Sequence, residues 1–152
     1  MAQTLYNHDF YAWTQQQVAL FQAEELEKLD LPNLIEEIEA MGISQRNEIT
    51  SRLVVLLMHL LKLRYQARRH VNSWLNTIRT QRVDIEIVLV SSPSLRRFIP
   101  DTIAYAYPRA RKRAAQETGL PLGTFPVICP WSIEEILDED WLPPQAAELN
   151  AT

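Results

Sequence analysis

Residues 53–63 read LVVLLMHLLKL, and this run constrains the fold more than any other part of the chain. Leu53, Leu56, Leu57, Leu60 and Leu61 fall on one face of a helix, and Val54 and Met58 widen that face. A helix this apolar has to be surrounded by other elements, so the run predicts the central helix of a bundle. His59 and Lys62 interrupt it well short of the ~18 uncharged apolar residues that a membrane span needs, so no membrane association is expected.

The rest of the chain agrees with an all-α reading. Three glycines occur in 152 residues, and apolar spacings of three and four dominate. A first helix is expected from about 9 to 29, with Phe10, Trp13, Leu20 and Phe21 as its apolar stripe. A second opens at Asp30, a good N-cap, tolerates Pro32 in its first turn, and should end at Gly42 in the left-handed conformation. Ser44 then caps the central helix, expected over about 45–69. The next helix starts near Asn72 or Ser73. Its tail, VDIEIVLV, also alternates like a strand, but Trp74, Ile78, Ile85 and Leu89 keep one helical phase. Ser92 and Pro93 open a short turn that Pro100 closes. Asp101 starts a helix to Gly119, which Pro108 should kink or split. LPLGTFPVICP reads as an extended strap. A capping box, Ser132 with Glu135, opens a short last helix, with Trp131 placed to staple onto Ile136. The tail beyond Pro143 and Pro144 should fray.

These elements predict one domain over 1–152, ordered from about 9 to 143: four main helices, a short C-terminal helix and a proline-rich strap. Cys129 stands alone, which excludes an internal disulfide and suits a reducing cytoplasm. The opening MAQTLYNHDFYAW has neither a basic n-region nor an apolar h-region, so export is not expected.

Charge is segregated along the chain. Residues 1–50 carry 2 basic and 9 acidic groups, residues 51–119 carry 13 and 4, and residues 120–152 carry none and 6. The blocks net −7, +9 and −6 within a total of −4. Internal pairing of these blocks is the economical expectation, since a dedicated nucleic-acid domain is usually basic overall.

Several polar residues stand in awkward places. At about 100° per residue, Leu34, Ile35, Ile38 and Met41 share one face, with Glu37 and Glu39 on its flanks and Glu36 opposite. Gln81 and Arg82 lie inside the apolar stripe of the next helix but one. A buried guanidinium calls for a carboxylate, so Glu37 or Glu39 is expected to meet Arg82, with Gln81, Thr77 and the Trp74 indole as further members. His59 shares a polar stripe with Glu48, Arg52, Lys62 and Gln66. Together with Glu37 or Glu39 it would suit a divalent ion, but the Glu-x-x-His signature of bundle metal sites is absent, and neither metal nor cofactor is assigned. Arg64 and His70 in RYQARRH are loosely spaced as in helical ribonucleases, where a general base and a cation serve a phosphodiester. Arg109, Arg111, Lys112 and Arg113 form the densest positive cluster and a candidate anion site, although docking against the acidic run Glu134–Asp140 is the simpler expectation.

LDLPNLIEEIEAMG, SRLVVLLMHLLKL, SWLNTIRTQR and ETGLPLGTFPVICPWSIEEILDEDWLP together resemble the family known as domain of unknown function 29, a bacterial and largely cyanobacterial family. The resemblance spans Asp9 to Pro143 and implies a small helical bundle in a bacterial cytosol, without an activity. No nucleotide loop or nucleophile elbow is present. The leading reading is a small cytoplasmic interaction or regulatory protein without catalysis, acting on a protein partner or by self-association. The alternative is a nucleic-acid-processing or metal-dependent helical enzyme.

Overall fold

The computed structural model describes residues 2–66 and 71–144, with side chains from residue 5 onward. Among the described residues there are helices and turns and no strand. The helices are α1 (Ala2–His8), α2 (Phe10–Gln22), α3 (Leu31–Tyr65), α4 (Val71–Ser91), α5 (Ile99–Thr118) and α6 (Ile133–Leu137). The four long ones and the short sixth, preceded by the proline-rich strap, are the expected all-α bundle. The chain divides into two compact units, Met1–Ser44 and Gln45–Thr152.

In the first unit, Asp9 caps α2 by accepting the Ala12 N–H at 3.0 Å. The helix stops at Gln22, seven residues short of the expected end. Glu24 takes a left-handed conformation, φ 56°, and the Glu25 N–H returns to the Leu20 carbonyl, which satisfies the last carbonyls as a Schellman turn does. Trp13 is the hub. Its ring lies edge-on to Tyr6 and stacks with Phe10, and its indole N–H donates to Asp30 Oδ2 at 2.9 Å. Buried Gln17 accepts the Asp30 N–H at 2.9 Å, and Asn33 donates to the same Asp30 oxygen at 2.8 Å.

The expected break at Gly42 does not occur: α3 runs unbroken from Leu31 to Tyr65. Gly42 does not adopt a positive φ. A glycine inside a helix costs only about 1 kcal/mol, and good helix formers on both sides, Glu36 to Met41 and Gln45 to Glu48, outweigh it.

In the second unit the rest of α3 is the core. Leu53, Leu56, Leu57, Leu60, Leu61 and Leu63 are completely buried, joined by Ile78, Ile85 and Leu89 of α4. From α5 come Ala106, Ala110 and Ala114, whose small side chains let that helix approach closely. VDIEIVLV is helical, as its phase predicts. Helix α5 begins at Ile99, after a 3₁₀ turn over Pro93–Phe98, so Pro100 lies in its first turn and does not close the preceding one. Pro108 does not split α5, and Gly119 ends it in the left-handed region. The strap plugs the bundle with Phe125, 1% exposed and edge-on to Tyr65. Arg111 holds it, donating to the carbonyls of Phe125 at 3.0 Å and Leu122 at 3.1 Å, and the Tyr107 hydroxyl donates to the Pro126 carbonyl at 2.7 Å. The capping box forms as expected, Ser132 and Glu135 exchanging bonds of 3.1 Å, and Ile136 is fully buried.

Candidate functional site

Arg82 is buried, as the helical wheel predicts, with 3% of its surface exposed, but its partners are not glutamate side chains. Its Nε donates to the Ile136 carbonyl at 2.8 Å, one Nη to the Trp141 carbonyl at 2.8 Å and the other to the Glu135 carbonyl at 3.2 Å. A planar fork of donors thus satisfies two main-chain acceptors in the last turn of α6 that have no partner within that helix, and a third, Trp141, in the segment after it. Burial lowers the Arg82 pKa, and the charges of Asp138 and Glu139 oppose that shift. This corrects the expected pairing twice. Glu37 instead accepts a hydrogen bond from the Tyr6 hydroxyl, which pushes the phenol pKa up to about 12, and Glu39, like Glu36, is exposed. The acidic run meets Arg82, and among the described residues it forms no ion pair with Arg109, Arg111, Lys112 or Arg113.

The other members of the expected cluster have separate settings. Gln81 accepts from Arg52 at 3.3 Å, and Arg52 also pairs with Asp84 at 2.9 Å and Glu48 at 3.1 Å. Buried Trp74 lies 4.8 Å beneath the Lys62 ammonium, which donates to Glu117 at 2.9 Å. His59 Nδ1 lies 2.8 Å from the Val55 carbonyl, which can only accept, so that nitrogen carries the proton and in the neutral ring Nε2 is the acceptor. Burial holds the imidazole pKa below its usual value, assisted by Lys62 and Arg113 and opposed by the Val55 bond and Glu117. Glu117, hydrogen-bonded by Lys62, has its carboxyl pKa lowered. No group of three or more His, Cys, Asp and Glu among the described residues is placed to hold a metal ion. His70 and the Arg68–Arg69 pair lie outside the described residues. Cys129 is half-buried, and burial raises its thiol pKa.

Two of the surfaces among the described residues bear on function. In the first unit, the face expected to be core is largely open: Leu34 is half-buried, but Ile35 is 55% exposed, Ile38 67% and Met41 68%, and Leu31, a turn earlier, is 53% exposed. Helix α2 adds Phe10, Tyr11, Val18 and Phe21, also exposed. In the second unit, α3 presents Thr50, Ser51, Val54 and Val55 to Tyr105, Arg109, Lys112 and Arg113 of α5, and a cavity of 590 Å³ lies between them. A second cavity, of 570 Å³, shares Thr50, Ser51 and Tyr105 and continues toward Arg46 and Asp101. The exposed apolar face was missed because amphipathic periodicity reports that a stripe exists, not what covers it. Glu117 and Asp84, partners of Lys62 and Arg52, carry no sequence signal, since each sits on a distant helix.

The profile of the family described as domain of unknown function DUF29 matches residues 5–142. The chain belongs to that family. No curated protein and no solved structure matches it. The exposed stripe, the Arg82 socket and the α3/α5 groove all fall within the matched span of the family. Among the described residues, no helix is long and apolar enough to cross a membrane.

Proposed function

We propose that this chain is a non-catalytic interaction module that works by pairing with a second copy through the open apolar face of its first unit. The observation that carries the reading is the exposure, by half or more, of Leu31, Ile35, Ile38 and Met41 on one helix. Leu31, Ile35, Ile38 and Gly42 follow one another at steps of four, three and four, the spacing of a helix–helix seam. Large apolar side chains on a monomer surface occur singly, and a contiguous set is the mark of an interface. Ten are exposed in this unit, the α2 set, Leu26, and the α3 set with Ile43. At roughly 80 Å² each, about half of a buried aromatic's area, together they set an upper bound of about 800 Å², comparable with one partner's contribution to an interface of standard size. Glu36 points away from the seam and Glu37 is held by Tyr6, so like-charge repulsion across a self-pair is confined mainly to Glu39 at its rim.

Sedimentation equilibrium across a concentration series tests the reading. The expected result is a reversible dimer, converted to monomer by Ile38→Glu with Met41→Glu at unchanged far-UV circular dichroism. A wild-type chain that stays monomeric at about 100 µM, weaker than the affinity expected of such an area, overturns it.

A further inference from the structure

The groove between α3 and α5 carries a second, independent inference. Its α5 wall places Tyr105, Arg109, Lys112 and Arg113 on one face of the helix, and its α3 wall adds the hydroxyl side chains Thr50 and Ser51. The two cavities share Thr50, Ser51 and Tyr105 in their linings, so together they offer more wall than a single small anion requires. Cations this close repel one another unless something neutralises them, and among the described residues the acidic run 134–140 forms no ion pair with them. Among the described residues, no carboxylate is within ion-pair distance of Arg109, Lys112 or Arg113. Glu117, one turn beyond Arg113, is hydrogen-bonded to Lys62 and also feels the Arg113 charge, which leaves Arg109 and Lys112 the less compensated pair, and Asp101 lines the neighbouring cavity.

Arg111 shows by contrast that the remaining three are a distinct set. It belongs to the same dense run, yet it is turned to the strap, where two carbonyls accept its protons. Arg109 is stacked on Tyr105, its guanidinium carbon 3.4 Å from the ring centroid, and donates to the Tyr105 carbonyl at 2.9 Å. That contact fixes a planar cation and an aromatic ring, itself 53% exposed, side by side in the groove wall. Spaced cations that track a backbone, next to a ring on which a base can stack, are the chemistry that recognises a single strand of nucleic acid.

We infer that the α3/α5 groove binds single-stranded nucleic acid, with Arg109, Lys112 and Arg113 on successive phosphates and Tyr105 against a base. A net acidic chain is compatible with this, because the cations are concentrated on one wall and phosphates respond to the local field. The assignment does not depend on self-association, since every residue of the groove belongs to the second unit.

The test is fluorescence anisotropy of the full chain with labelled oligothymidylate and oligouridylate of about twelve nucleotides, at about 50 and about 200 mM salt. Three phosphate contacts predict a slope of log K against log salt near −2, from about −0.7 per contact on a single strand. Arg109→Gln/Lys112→Gln/Arg113→Gln should weaken binding at least tenfold, while Arg79→Gln/Arg97→Gln, exposed cations elsewhere, should leave it unchanged. Circular dichroism confirms that both variants are folded. No saturable binding at the lower salt, or equal binding by the groove variant and wild type, overturns the inference. So does displacement of the oligonucleotide by inorganic phosphate or a nucleoside triphosphate at equal phosphate concentration, which would make the ligand a small phosphoryl compound. Failure of a competitor to displace it at that concentration supports the strand.

Discussion

Replacing Arg82 by methionine tests the most consequential polar contact in the second unit. The side chain is 3% exposed and makes three hydrogen bonds to carbonyls, at 2.8, 2.8 and 3.2 Å. Bonds from a charged donor contribute about 1.5–3 kcal/mol each, so the lost interactions alone sum to at least about 4.5 kcal/mol. Against that, methionine fills similar volume and removes the several kcal/mol that it costs to keep a guanidinium out of water. Water can also reach the Trp141 and Glu135 carbonyls, which lie at partly buried positions. The balance is a loss of about 3 kcal/mol, at the lower edge of what removing one partner of a buried charged contact costs. Arg82→Lys keeps the charge but has no planar fork, and should lose about 2 kcal/mol. Urea unfolding followed by tryptophan fluorescence and by far-UV circular dichroism measures both. Trp131 and Trp141 lie with ring centroids 5.8 Å apart beside the socket, so release of α6 before the bundle would separate the two transitions. A methionine variant within about 0.5 kcal/mol of wild type, the range of an ordinary surface change, refutes the socket as a stabilising device.

Three further substitutions probe the other settings. Gly42→Ala should raise stability by about 1 kcal/mol, because the helix is continuous there and an added Cβ meets nothing within 4 Å; a left-handed helix end would give the opposite sign in the same denaturation curve. His59 has its pKa lowered in the fold, mainly by burial, so its neutral form is favoured and the fold binds fewer protons than the unfolded chain. Stability should therefore decline as pH falls below the unfolded value of about 6.5, and His59→Gln should flatten melting temperature against pH between about 7 and 5. Burial would raise the Asp30 pKa, but the bonds from Asn33 and Trp13 outweigh it and hold the carboxyl below the usual carboxylate range. Its contribution is complete above an unfolded pKa of about 3.9 and is lost as pH drops through the lower folded value; Asp30→Asn should remove that part of the acid transition seen in thermal melts below about pH 4.

Why the all-α class, the core face of α3 and the burial of Arg82 were legible, while Arg82's partner was not, follows from what periodicity encodes. A wheel assigns each residue an angle about its own helix, and angle decides burial once the apolar side is known. It holds no information about which other element arrives at that angle. Charge complementarity points only to side chains of opposite sign, whereas the acceptors are main-chain carbonyls, two in the last turn of a five-residue helix and one beyond it, present in every sequence and marked in none. The same gap explains the stripe Leu31, Ile35, Ile38 and Met41. The spacing of Leu34, Ile35, Ile38 and Met41 predicts a covered face, and among the described residues only Leu34 of the four is even half-covered. Gly42 reads as a helix end in the sequence, and α3 instead continues through it from Leu31 to Tyr65. Gly42→Ala probes the continuity of α3 at residue 42, and Ile38→Glu/Met41→Glu probes the proposed self-pairing through a stripe that stays exposed among the described residues.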